Sequence, residues 1–123
     1  SYDLVSLLKD CYIVWPRKRL LDWLDLYRAK AAAAGLEAGR DRGEFLQWFD
    51  RMGLQRHLKV LGIFARLWHR DAKSGYLADL PRVLEYTLEA SAAEPALAEF
   101  DAFLRKRVVP AFATAARRTG VPR

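Results

Sequence analysis

The sequence predicts an all-α protein of about five helices gathered around one long central helix. Three observations carry that expectation. The stretch Trp48 to Arg70, WFDRMGLQRHLKVLGIFARLWHR, is apolar on nearly every side when wound at about 100° per residue. Other apolar runs recur at helical spacing, punctuated by Pro16, Gly35, Gly75, Pro81 and Pro95 at helix-start and helix-stop positions. With 123 residues, 52% of them hydrophobic, one domain with a real core is the default. No strand can be read.

The elements follow in order. A first helix is expected from about Asp3, a plausible N-cap, to Tyr12, with Leu4, Leu7, Leu8 and Cys11 at helical spacing. Trp15-Pro16 interrupts it, because the residue before a proline is pushed out of the α region. A second helix, about Arg17 to Ala34, should bury Leu20, Leu21, Leu24 and Tyr27, flanked by Trp23, and end at Gly35. Gly35 to Gly43 is the most loop-like stretch. Asp41 and Glu44 then have the spacing of a capping box opening the central helix, which should stop near Asp71 before the turn Lys73-Ser74-Gly75.

Within the central helix, Leu58, Val60, Leu61, Ile63, Phe64, Ala65, Leu67 and Trp68 surround most of the circumference. Gln55, Lys59, Gly62, Arg66, His69 and Arg70 form the narrow polar strip. A helix apolar all round should be wrapped by others. Arg56 falls in line with Phe45, Phe49, Met52, Ile63 and Leu67, and His57 in line with Leu61, Phe64 and Trp68. Gly53 and Gly62 each cost about 1 kcal/mol relative to alanine, which suggests close approach of another backbone. Asp79-Leu80-Pro81 reads as the N-cap and first turn of a fourth helix to about Ser91. Glu94-Pro95 opens a fifth, with the stripe Leu97, Phe100, Phe103, Leu104 and Arg107, which Pro110 should end or kink. The tail from about Ala113 should fray.

Bulk chemistry excludes several classes. The single Cys11 rules out an intrachain disulfide framework and a cysteine zinc cluster, and fits a reducing cytoplasm. Lys59 and Arg66 break the best candidate for the roughly 18 apolar residues of a membrane span, and no secretory signal is read. A start at Ser1 rather than methionine reads as a processed product or a fragment. The net charge of +6 invites a nucleic-acid reading. However, the basic residues are scattered over several segments, most with acids nearby, as solvated helix faces are.

Catalytic signals are thin. His69-Arg70-Asp71-Ala72-Lys73 matches the opening of a protein-kinase catalytic loop, but Tyr76 stands where the metal-binding asparagine belongs. Asp79 is followed by Leu80-Pro81 rather than Phe-Gly, so the segment reads as a helix end with His69 and Arg70 at the negative pole of the dipole. His57 and His69 are too far apart to share a metal. A Cys11–His57 pair is conceivable, but lone buried cysteines are far more often core residues. The residues alone show no catalytic centre and no metal site.

A resemblance accounts for that gap. Tyr2 to Leu8, YDLVSLL, resembles the "YDLASLL" helix that follows the magnesium-binding loop in aminoglycoside/choline-kinase-like phosphotransferases. Lys9 to Pro16, Met52 to Phe64 (MGLQRHLKVLGIF) and Gly75 to Arg82 (GYLADLPR) are similar to the bacterial branch that phosphorylates the anomeric hydroxyl of N-acetylmuramate and N-acetylglucosamine. The likeness covers about Tyr2 to Phe112, and it implies the C-terminal helical part of such a kinase. In that family the nucleotide lobe, the catalytic aspartate and the magnesium aspartate precede the position of Ser1. ATP and Mg2+ are therefore implied for the parent, and the chain alone should be inactive.

The resemblance further implies that Asp3 braces the active-site loops. It makes Tyr12, Gln55, Arg56, His57 and Lys59 candidates for a wall of the amino-sugar pocket. Arg56 and Lys59, one turn apart, could recognise a sugar-linked carboxylate; an ion pair of Arg56 with Asp10, Asp50 or Glu85 is the alternative. For His57 the alternative is a satisfied core residue, and Tyr12 and Trp15 could equally plug the core. Without the preceding lobe, Leu4, Leu8, Tyr12, Trp15, Phe45 and Phe49 should be uncovered and could support a two-fold homodimer. Two other functions stay open: a free-standing helical protein-interaction module, and a basic helical nucleic-acid binder.

Overall fold

A computed structural model of the chain describes residues 2–38 and 41–119. All regular structure among them is helical. The α-helices are α1 (Tyr2–Leu8), α2 (Arg17–Ala33), α3 (Arg42–Asp71), α4 (Leu80–Ala92), α5 (Ala98–Phe103) and α6 (Val109–Thr119). Short 3-10 turns precede α4 (Leu77–Asp79) and α5 (Pro95–Leu97), and a π turn (Leu104–Val108) joins α5 to α6 without a break. Contacts divide the chain into two compact units, Ser1–Gly53 and Leu54–Arg123, with the boundary inside α3.

The first unit has an apolar centre of Val5, Leu8, Leu20, Leu24, Phe45 and Phe49, with Leu4, Trp15 and Trp23 packed against it. α1 begins at Tyr2, so Asp3 is a first-turn acid rather than the N-cap. It also stops at Leu8, well short of Tyr12, and Val5 rather than Leu7 joins Leu8 in the core. α2 ends as the glycine rule requires. Gly35 takes φ 71°, and Leu36 N–H and Gly35 N–H return to the carbonyls of Ala31 and Ala32 at 2.9 and 3.0 Å. Residues 39 and 40 of the expected Gly35–Gly43 loop lie outside the described residues. Asp41 Oδ1 accepts from Glu44 N–H at 2.7 Å, the N-cap half of the capping box.

The second unit is organised by α4, whose Leu80, Val83, Leu84, Thr87 and Ser91 are all buried at the i, i+3, i+4, i+7 rhythm of one helical face. α4 packs against α5. Thr87 Oγ1 donates to the Val83 carbonyl at 2.8 Å, and Ser91 Oγ lies 2.7 Å from Asp101 Oδ1, so both buried hydroxyls are satisfied. Asp79 makes no capping bond, because the preceding 3-10 turn holds it in helical geometry; it faces Arg82 at 3.6 Å instead. Pro110 does not end the last helix. The wider π turn just before it accommodates the ring that would otherwise strike the carbonyl four residues back, and α6 continues to Thr119, past Ala113.

Two expectations about α3 are corrected. In its second half only Phe64 of the eight apolar residues is buried; Leu58 is exposed and the others are half-buried, so this half is not wrapped all round. Conversely, Leu8, Phe45 and Phe49 are buried and Leu4 and Trp15 partly so. Of the face expected to be uncovered, only Tyr12 is exposed. The helix glycines are corrected as well. A Cβ on Gly53 would fall within the Lys9 side chain, 2.9 Å from Nζ, whereas Gly62 faces open space. The nearest neighbours of Gly53 are thus side-chain atoms, and Gly62 has none within 4 Å.

Candidate functional site

The expected pocket residues fall in both units. Gln55, Arg56, His57 and Lys59 occupy consecutive turns of α3 in the second unit, and Tyr12 lies in the α1–α2 loop of the first. Gln55 and Lys59, four residues apart, are both exposed on one helix face, with Arg56 half-buried beside them. His57 is only 3% exposed, and its ring stacks on Tyr86 at 5.1 Å and 19°. That places it in the interior, the member of the set least able to touch a soluble ligand directly. Burial pushes the Tyr86 hydroxyl above its usual range, against the opposing charge of Arg82. Asp3 stands exposed in the first turn of α1, at the positive end of its dipole.

A group that the sequence did not single out holds the first unit together. Asp50, on α3, accepts from Lys9 Nζ at 2.7 Å and from both terminal nitrogens of Arg17 at 3.0 and 2.9 Å. Lys9 is 13% exposed and sits over the Phe49 ring, 4.9 Å from its centroid. Burial alone would raise the Asp50 carboxyl, but the Arg17 hydrogen bond and the Lys9 charge outweigh it and hold the group below the ordinary aspartate range. Asp50, one of the three acids offered as the alternative to a ligand for Arg56, binds Lys9 and Arg17. A Cβ on Gly53 of α3 would force the Lys9 side chain to shift away from this arrangement.

Other chemistry is weakly supplied. Burial, and after it the neighbouring Asp10 charge, push the Cys11 thiol up, the opposite of an activated thiolate. Among the described residues, no three His, Cys, Asp or Glu side chains converge to hold a metal ion.

The described residues are thus helical wherever they are regular, with polar side chains exposed on α3 in the second unit and a charge cluster within the first. The relatives of this chain are sugar kinases. It is 49% identical over 104 residues to the N-acetylmuramate/N-acetylglucosamine kinase of Neisseria meningitidis serogroup B, covering 85% of this chain and 31% of that protein. Against the proteins of the same name from Pseudomonas putida and Caulobacter vibrioides, identity is 46% over 99 residues and 35% over 108. Those matches cover 80% and 88% of this chain, but only 29% and 28% of the relatives. The chain spans under a third of the length of these curated relatives. No family model and no solved structure matches it. Among the described residues, no helix is long and apolar enough to cross a membrane.

Proposed function

We propose that this chain is the C-terminal helical segment of an ATP-dependent, cytoplasmic phosphotransferase that phosphorylates an amino sugar, N-acetylmuramate or N-acetylglucosamine, at its anomeric hydroxyl. The observation that carries the reading is the 49% identity sustained through 85% of the chain. Membership of the aminoglycoside/choline-kinase-like superfamily belongs to the same proposal, resting on the YDLVSLL helix. ATP and Mg2+ are assigned to the part of the parent outside this chain. The role proposed for this chain is substrate-side. Gln55, Arg56 and Lys59 supply hydrogen bonds to the sugar, and the Arg56 fork reads the lactyl carboxylate of muramate. His57 supports that helix from inside through Tyr86, Tyr12 offers a ring for stacking, and Asp3 braces the loops.

Two measurements test this. The full-length parent protein, given ATP and either sugar, should form a sugar phosphate whose phosphorus resonance couples to the anomeric proton; no product with either sugar overturns the assignment. Calorimetric titration of the 123-residue chain with Mg-ATP should give no binding heat, and micromolar binding would place the nucleotide site here instead. Within the parent, Arg56→Met should raise KM for muramate several-fold more than for glucosamine. Equal losses with a lower melting temperature would mark Arg56 as structural.

A further inference from the structure

The loop between α1 and α2 is tied at both ends to one carboxylate. Lys9 precedes it, Arg17 follows it, and both close on Asp50. Inside the loop, Cys11 is buried, Tyr12 N–H donates to Asp10 Oδ1 at 2.9 Å, and Trp15 meets Trp23 edge-on at 5.0 Å. A short loop with tethered ends and its own internal packing holds a fixed shape. What this one displays is apolar. Tyr12, Ile13 and Val14 are consecutive and 54%, 48% and 62% exposed, and Leu7 on the last turn of α1 is 69% exposed.

Three adjacent exposed apolar side chains are uncommon unless they serve a contact. Ile13, Val14 and Leu7 carry no polar atom that could recognise a sugar hydroxyl, so the surface they offer suits protein. Resting on the function proposed above, we infer that Leu7, Ile13 and Val14, carried on and beside the Asp10–Pro16 loop, form a preorganised docking element whose occupant is the remainder of the parent polypeptide. The occupant follows from length: the matched stretch is 31% of the first relative, so more than two thirds of such a protein lies outside it. Holding the loop in advance lowers the ordering cost of the contact. Asp50 is the positioning residue, acting through Lys9 and Arg17.

The test is the reactivity of a thiol placed on the loop. Val14→Cys is made in the 123-residue chain and in the full-length parent, with each unsubstituted protein as the blank for its own cysteines. The introduced thiol should react with a disulfide reagent at the rate of an exposed cysteine in the short chain, and at least tenfold more slowly in the parent. Equal rates overturn the proposal. Slow reaction in a short chain that light scattering shows to be dimeric also overturns it, by making a second copy the occupant. Sugar phosphorylation by the parent is read separately. An active parent with an unprotected thiol fails the docking inference alone, and a protected thiol in a parent without sugar-kinase activity fails the functional reading alone. Asp50→Asn in the short chain should speed amide exchange at residues 11–14 tenfold or more while α4 is unchanged; no change there removes Asp50 as the positioning residue.

Discussion

The two halves of α3 carry similar apolar content and bury it unequally. In the first half, Phe45 and Phe49 are buried in a six-residue centre, and Asp50 and Gly53 are committed to Lys9. In the second, Val60, Leu61, Ile63, Leu67 and Trp68 are only half-buried, and Gly62 faces open space. A helix surface rich in apolar residues therefore says that burial is available, not that it happens. Burial depends on how many elements arrive: the first half packs into the centre that α1 and α2 build, and the second buries Phe64 and His57, the latter against Tyr86 of α4.

The largest expected effect contrasts the two halves directly. Phe49→Ala removes a buried ring and should destabilise the chain by about 3–4 kcal/mol, whereas Leu61→Ala, half-exposed already, should cost about 1 kcal/mol. Chemical denaturation of both variants is the check. Comparable losses would mean the second half is as well packed as the first.

Next comes the charge cluster. Asp50→Asn leaves Lys9, largely buried, without its carboxylate, and should cost about 1–2 kcal/mol at pH 7, discounted from a fully buried pair because the Asp50 side chain is 31% exposed. Because the folded Asp50 pKa is lowered, its contribution is complete above the unfolded value of about 3.9 and disappears as pH falls through the folded value. The gap between parent and variant should thus be constant from pH 7 to 5 and close towards pH 2. A gap independent of pH would show that the loss is steric.

The two glycines of α3 give a smaller but sharper contrast, since the same substitution should change sign within one helix. Gly62→Ala should raise stability by about 0.5–1 kcal/mol through helix propensity alone. Gly53→Ala should lower it by about 1 kcal/mol, because the new Cβ displaces Lys9 and the lost ion pair outweighs the propensity gain. Thermal melts of both variants decide it. The smallest effect belongs to Ala72, which ends α3 at φ 52°. Ala72→Gly should gain about 0.5 kcal/mol, the left-handed strain relieved less the added chain entropy.

Much of this was legible in advance. The all-helical class, the stop at Gly35, the Asp41 cap and the prolines opening the later segments are local signals whose physics is settled within a few residues. The candidate site was legible only in part. Gln55, Arg56 and Lys59 were visible as polar residues on a largely apolar helix, but the interior placement of His57 against Tyr86 was not, because those rings meet across separate helices. The cluster of Lys9, Arg17 and Asp50 was missed because three charges far apart in sequence each look solvated when read alone.

The sequence by itself determined where helices start and stop, and which faces could be buried. Caps, αL glycines and proline φ restraints act within one turn. Only the tertiary structure decided which of the available faces met a partner: that Leu7 turned outward while Val5 turned in, that Pro110 was absorbed by a π turn, and that Gly53 made room for a lysine. Those outcomes depend on distances between segments brought together by folding, and a one-dimensional pattern carries no such distances.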